Sequence, residues 1–279
     1  MRTLLARLAL LLPLTGLLAC EQSTSVEPFT MTDALKQDLA TVQTARIFFG
    51  HQSVGGNIMD GVQDILKESG AQLTVLDAAA GTDNLPPAFL LHTPVGKNTE
   101  PKTKCDDFKR IVDQKLAGRI DIALLKFCYI DIDQTTDVDK LFDYYRSVLD
   151  DLKVRHPDIT FVHVTAALRQ VDSGLGIWVR EMIGKPNRAK LDNLKRHAFN
   201  EKLRSVYAND PIFDLAASES TYPDGRRETF KYEGQTGYAL IGAYTYDGGH
   251  LNEAGRKHVA ADFLHSLAQT VRARQGATD

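Results

Sequence analysis

Two short segments of the chain carry residue types that can do chemistry together. Ser53 stands in Gly50-His51-Gln52-Ser53-Val54-Gly55-Gly56-Asn57, where an apolar run gives way to a helical pattern. A serine hydroxyl is a weak nucleophile until a base takes its proton, and a histidine base needs a carboxylate to fix its tautomer and orientation. Asp247-Gly248-Gly249-His250 offers both from one loop, just ahead of the last helical pattern. At a strand-to-helix turn the Ser53 hydroxyl projects beyond the sheet, and its N–H lies at a helix N-terminus suited to a developing oxyanion. Ser53-Val54-Gly55 is the S-x-G half of a G-x-S-x-G turn, with His51 in place of the first glycine. The same residues also fit plainer roles: a serine N-cap with loop glycines, a glycine turn after Asp247, and a helix cap at Asn252.

Elements able to position these groups alternate along the chain. Ala45 to Gly50, Leu73 to Ala80, Ile120 to Phe127, Ile159 to Val164 and Pro211 to Ala216 are short apolar runs that predict five strands. Apolar residues recur at helical spacing over Ile58 to Glu68, Val138 to Val154, Ala189 to Tyr207 and Glu253 to Arg272. Continuous apolar strands between helices predict a three-layer α/β/α sandwich with a mainly parallel five-stranded sheet, flavodoxin-like in its layering. Ligands in such a fold lie beyond the carboxyl ends of the strands. Three long loops interrupt the pattern: Thr82 to Lys104, Ser173 to Arg188 with Trp178, and Ser218 to Tyr246, rich in Tyr and Gly.

A serine after the first strand and D-x-x-H before the last helix resemble the SGNH (GDSL-like) hydrolases, a superfamily of serine esterases, lipases and acyl hydrolases. The resemblance runs in element order from about Thr44 to Ala268. It implies Ser53 as nucleophile and Asp247 and His250 as acid and base. It also implies two oxyanion donors beside the Ser53 amide: a glycine after the second strand, matched by Gly81, and an asparagine after the third. The asparagine is missing, because Phe127-Cys128-Tyr129-Ile130-Asp131 stands where the family reads G-x-N-D. The Tyr129 hydroxyl, Asn57 or Asn84 are the substitutes. His51, Asn57, Trp178, Tyr244 and Tyr246 are candidate substrate contacts, and with Tyr222, Tyr232 and Tyr238 the aromatic residues suit sugar rings. The implied activity is cleavage of an ester, an O-acyl group on a carbohydrate among the options. An envelope polysaccharide O-acyltransferase and a non-catalytic glycan-binding or scaffold lipoprotein are the alternatives.

Composition narrows the partners. The 279 residues carry a formal net charge of −3 with no basic stripe, which argues against nucleic acid. Met1 to Ala19 has two arginines, no acid and an apolar run too short to span a membrane, the pattern of an export signal. Leu17-Leu18-Ala19-Cys20 resembles the lipobox of bacterial lipoproteins. The expectation is a signal over 1–19, a lipidated Cys20 with a tether over 20–28, and one domain over 29–279, anchored to the cell envelope by Cys20. Cys105 and Cys128 fit a disulfide or two separate thiols equally. His163 reads as a core histidine, and His258 and His265 as residues of the last helix. Asp131, Asp133, Asp137 and Asp139 alternate like calcium ligands, but Thr136 and Phe142 replace the glycine and glutamate such a loop needs. A charged loop with a helix N-cap is expected there, with no metal and no cofactor.

Overall fold

The structure is a computed structural model that describes residues 29–172, 174, 176–177, 182–185 and 187–276. Cys20, the export segment and Trp178 lie outside the described residues. Strand β1 (Arg46–His51) runs into helix α2 (Val54–Ser69), behind a first helix α1 (Asp33–Val42). Then come β2 (Val75–Asp77), β3 (Phe89–Pro94), α3 (Pro101–Ile111), β4 (Ile122–Leu125), α4 (Val138–Arg155) and β5 (Thr160–Val164). Helix α5 (Arg188–Val206), β6 (Ile212–Phe213), α6 (Leu215–Ser220), the hairpin β7 (Thr229–Tyr232) and β8 (Gln235–Tyr238), and α7 (Glu253–Gly276) complete the order. Among the described residues no helix is long and apolar enough to cross a membrane.

The main sheet has six strands in the order β2-β3-β1-β4-β5-β6, all parallel. Successive side chains of a strand face opposite sides, so one sheet divides the core in two. Ile47, Phe49, Ile122, Leu124 and Val162 pack with residues of α1, α2 and α7. Phe48, Ala123, Leu125 and Phe161 pack with residues of α3, α4 and α5 on the other face. The three-layer reading therefore holds.

Three of the expected elements change. A sixth strand, β3, lies inside the predicted loop from Thr82 to Lys104 and pairs directly with β1, from Arg46↔Phe89 to His51↔Pro94. Prolines hide it: Pro86-Pro87 precede it and Pro94, which has no N–H to donate, closes it. The second predicted strand shrinks to Val75–Asp77 at the sheet edge, because Asp77 accepts from the Ala79 N–H and turns Ala78–Ala80 into a 3-10 helix. The fifth predicted strand stops at Phe213, where Asp214 accepts from the Ala217 N–H and starts α6. Helix α3 was also unforeseen. Its sequence PKTKCDDFKRI is mostly charged, and Cys105, Phe108 and Ile111 alone carry its apolar face. Cys105 and Cys128 are two buried free thiols, so the disulfide alternative is discarded.

The route of the chain creates the cleft. From β1 it passes to the far edge at β2, returns to β3 beside β1, then crosses through α3 to β4 on the opposite side. The loops that leave β3 and β4 diverge, and the carboxyl end of β1 opens into the gap between them, the position where open α/β sheets bind ligands.

Candidate active site

Ser53 occupies the N-cap of α2 at φ 50°, ψ −108°, one of the few residues other than glycine with positive φ. Such a backbone costs roughly 1–3 kcal/mol and persists only where its surroundings impose it. Here a glycine permits it: a Cβ on Gly55 would lie 2.4 Å from the Cβ of His51, so the first turn of α2 rests directly on the end of β1. The Gln52 amide adds a brace by donating to the Val95 and Gly96 carbonyls at 3.3 and 2.9 Å. The Ser53 side chain makes no capping hydrogen bond. It lies instead 2.6 Å from His250 Nε2.

His250 is held from the other side by Asp247. Its Nδ1–H donates to Asp247 Oδ2 at 2.6 Å, which leaves Nε2 to accept the Ser53 proton. Asp247 Oδ1 accepts the Gly249 and His250 amides at 2.9 and 2.7 Å. Burial acts to raise the Asp247 pKa, but the hydrogen bonds from His250 and the two amides outweigh it and hold the carboxyl at about 2. The loop is fastened at both ends. Asn57 Oδ1 accepts the Leu251 N–H, Thr245 donates to the His250 carbonyl, and the Gln170 N–H donates to the Gly248 carbonyl. Asn252 accepts the Gly255 N–H, so it does cap the last helix. Gly249 has a steric reason as well, since a Cβ there would lie 2.7 Å from the Tyr129 ring.

The remaining expected site residues divide. Tyr129 stands edge-on to His250, ring centroids 5.7 Å apart, and Tyr246 stacks on the same imidazole at 6.0 Å while 68% exposed. Burial and the Asp247 charge raise the Tyr129 pKa, so its hydroxyl keeps its proton. Tyr244 is buried in the core, its ring stacked on His258, and is withdrawn as a substrate contact. His51 is also withdrawn: it is buried under α2, with Nε2 3.0 Å from His92 Nδ1. Desolvation, then the neighbouring His92 and Lys126, lower its pKa to about 3, so it is neutral. Asn57 spends its side-chain oxygen on the His250 loop, as a positioning group. Asn84 lies exposed in the loop after β2. Tyr222 and Tyr238 pack against the core and carry Arg226 and Arg227 on their rings, and Tyr232 lies on the hairpin.

Gly81 requires a correction. Its N–H donates to the Ala78 carbonyl at 3.1 Å, and it follows β2, which β3 separates from β1. The glycine after the strand that does flank β1 is Gly96, whose N–H donates to Asp107 Oδ2 at 3.1 Å. At the start of α2 the Gly55 and Gly56 amides turn back to Gln52 and Ser53 carbonyls, which leaves Ser53 and Val54 as the donors at that helix end. Of the alternating aspartates, Asp131 pairs with buried Lys104, Asp133 accepts from Thr135 and Asp137 caps α4. His163 accepts its core role by bonding Tyr145, and His265 pairs with Asp38.

Two cavities lie close to Ser53, Asp247 and His250, one through Tyr129 and the other through Asp247 itself. One of about 740 Å³ lies between the loops after β3 and β4, with Tyr129 and Ile130 in its wall. Another of about 540 Å³ is bounded by Tyr246, Asp247 and Gly248. Arg169, five residues beyond β5, lines both. Sequence reading passed over it, although a polar residue just past the carboxyl end of a strand is where ligand contacts are sought.

No family model matches the chain, and no curated protein does. Solved structures similar to it include an acetyl xylan esterase (AlAXEase), 18% identical with a TM-score of 0.45, over 78% of this chain and 97% of that one. A member of the lipolytic protein G-D-S-L family from Veillonella parvula is 13% identical, TM-score 0.41, over 78% and 97% of the two chains.

Proposed function

We propose that the protein is a serine esterase of the SGNH type. One observation carries this reading: the Ser53 side chain leaves its helix uncapped and meets a histidine whose far nitrogen is fixed by a carboxylate. In the proposed reaction His250 Nε2 takes the Ser53 proton as Oγ attacks the acyl carbonyl. The oxyanion forms at the N-terminus of α2, where the Ser53 amide and the helix dipole stabilise it. His250 then protonates the departing alcohol, and water, activated in the same way, releases the acyl-enzyme. Asp247 stays ionised and holds the imidazole in place throughout.

Ser53→Ala is expected to lower turnover of a short-chain aryl ester by at least about 10⁴-fold while the thermal midpoint changes little. A fluorophosphonate probe is expected to label wild type at Ser53. Retained turnover in the variant, or no labelling of the folded protein, removes the assignment. We also propose that the protein is held outside the cytoplasm by a diacylglycerol on Cys20, a reading supported by the apolar run that ends in Leu17-Leu18-Ala19-Cys20. Incorporation of labelled palmitate that disappears in Cys20→Ala tests it.

A further inference from the structure

One cation, Arg169, lines both cavities. Arg169 Nε donates to the Gly248 carbonyl at 3.4 Å, and its guanidinium carbon lies 5.3 Å from the centre of the Tyr129 ring. Tyr129 in turn is edge-on to His250, so a single aromatic ring separates the guanidinium from the base. Arg196, in the wall of the same cavity, has its own partners: it donates to the Tyr129 carbonyl and to Asn193, with Asp192 3.8 Å away. Arg169 has no carboxylate within 4.0 Å among the described residues.

The backbone that presents it is unusually well fixed. Beyond β5 the chain from Ala166 to Arg169 is read by buried side chains in place of a neighbouring strand. Asn200 accepts the Ala166 N–H and donates to its carbonyl, at 2.7 and 3.1 Å. Glu219 accepts the Leu168 N–H at 2.6 Å. Asn193 accepts the Arg169 N–H at 3.1 Å and donates to its carbonyl at 2.7 Å, and the Leu240 N–H reaches the same carbonyl. Buried amides that satisfy both backbone groups of a residue remove its freedom to move, which preorganises the side chain it carries.

The direction of the reaction says which part of a substrate Arg169 meets. His250 delivers its proton to the departing alcohol, so the alcohol portion lies on the His250 side, among Tyr129, Tyr246 and Gly248, where Arg169 stands. A guanidinium fork matches a planar carboxylate in two hydrogen bonds. Asp172, Asp192 and Asp247 line the same cavities together with Lys140, Lys185 and Arg188, so the walls hold no large excess of positive charge for a phosphate dianion. Building on the esterase reading above, we infer that Arg169 binds a carboxylate on the alcohol portion of the ester, so that the substrate is an acyl ester of a carboxylate-bearing alcohol such as an acidic sugar.

The test compares 4-acetoxybenzoate with its methyl ester, which share an acetyl group and a ring but differ in charge. Arg169→Gln is expected to lower kcat/KM at least tenfold more for the acid than for the methyl ester, mainly through KM, with Arg169→Lys recovering part of the loss. Equal losses on both esters, or no loss on either, overturn the inference, the first by making Arg169 a support for the His250 loop. A selective loss confined to 4-nitrophenyl hemisuccinate, whose carboxylate is on the acyl side, overturns the placement. A steeper loss on 4-acetoxyphenyl phosphate overturns the choice of carboxylate. Fluorophosphonate labelling of Ser53 in the variant reports an intact site. Failure of the esterase reading itself shows differently, as both acetate esters still turning over in Ser53→Ala.

Discussion

The loop that carries Asp247 and the buried backbone around Glu219 treat a carboxyl group in opposite ways. Asp247 is 41% exposed at its side chain and accepts three hydrogen bonds, two from amides of its own loop. Asp131, in the loop after β4, has no exposed side-chain surface, yet it is equally well supplied: Lys104 and the Cys128 amide donate to one oxygen and the Thr99 amide to the other. Glu219 is as deeply buried but receives only the Leu168 amide on one oxygen, and its other oxygen has no partner. Burial alone therefore does not decide how fully the lost hydration of a carboxyl here is replaced. The number of donors aimed at it does, because each donor replaces hydration lost to the interior. Glu219 has too few, and desolvation pushes its pKa up to about 8 against the opposing Leu168 amide, Lys126 and Arg196.

The largest effect should come from the exposed carboxylate, through rate and not stability. Asp247→Asn keeps the shape of the loop but lets His250 take the wrong tautomer, and kcat is expected to fall by about 10⁴-fold in steady-state ester hydrolysis. A loss below tenfold would falsify the orienting role given to Asp247. Next comes the sealed pair. Asp131→Ala leaves Lys104 buried with a charge and separates the loops after β3 and β4, so denaturant melts should show a loss of about 3–5 kcal/mol. An unchanged melt means that the pair is bypassed by water and that the two regions are less different than their exposure implies.

The smallest effect lies in the pH dependence, where the two environments have opposite signs. Glu219, raised above its ordinary 4.5, binds a proton more tightly when folded, so stability falls as pH rises from about 4.5 towards 8. Glu219→Gln should erase that decline, so that its stability relative to wild type rises steadily between about pH 4.5 and 8. Asp247, lowered from 3.8 to about 2, works the other way: its contribution is complete above 3.8 and is lost as pH falls through 2. Melts of the two single variants against wild type from pH 2 to 9 separate these slopes, and parallel curves would mean that neither shift is real.

The features legible in the sequence are local. The run ending at Gly50, the Ser53-Val54-Gly55 turn and the four residues from Asp247 to His250 each depend on neighbours a few positions away. Backbone strain at Ser53, the cap at Asn252 and the hydrogen bonds within the Asp247 loop act over the same short range, so residue type and spacing sufficed to single them out. Helix α1 was legible by the same means and was overlooked, since Thr32 caps it and Leu35, Leu39 and Val42 recur at helical spacing. Only the tertiary structure decided which strands flank β1. That depends on pairing Arg46 with Phe89 and Ile47 with Ile122, contacts across long stretches of chain that no local pattern encodes. The insertion of β3 moved Gly81 away from the site, the packing of α2 sealed His51 beneath it, and the fold drew Tyr244 into the core. It also brought Arg169 beside Gly248, 79 residues further along, where a charge that is unremarkable in sequence lies one aromatic ring from His250.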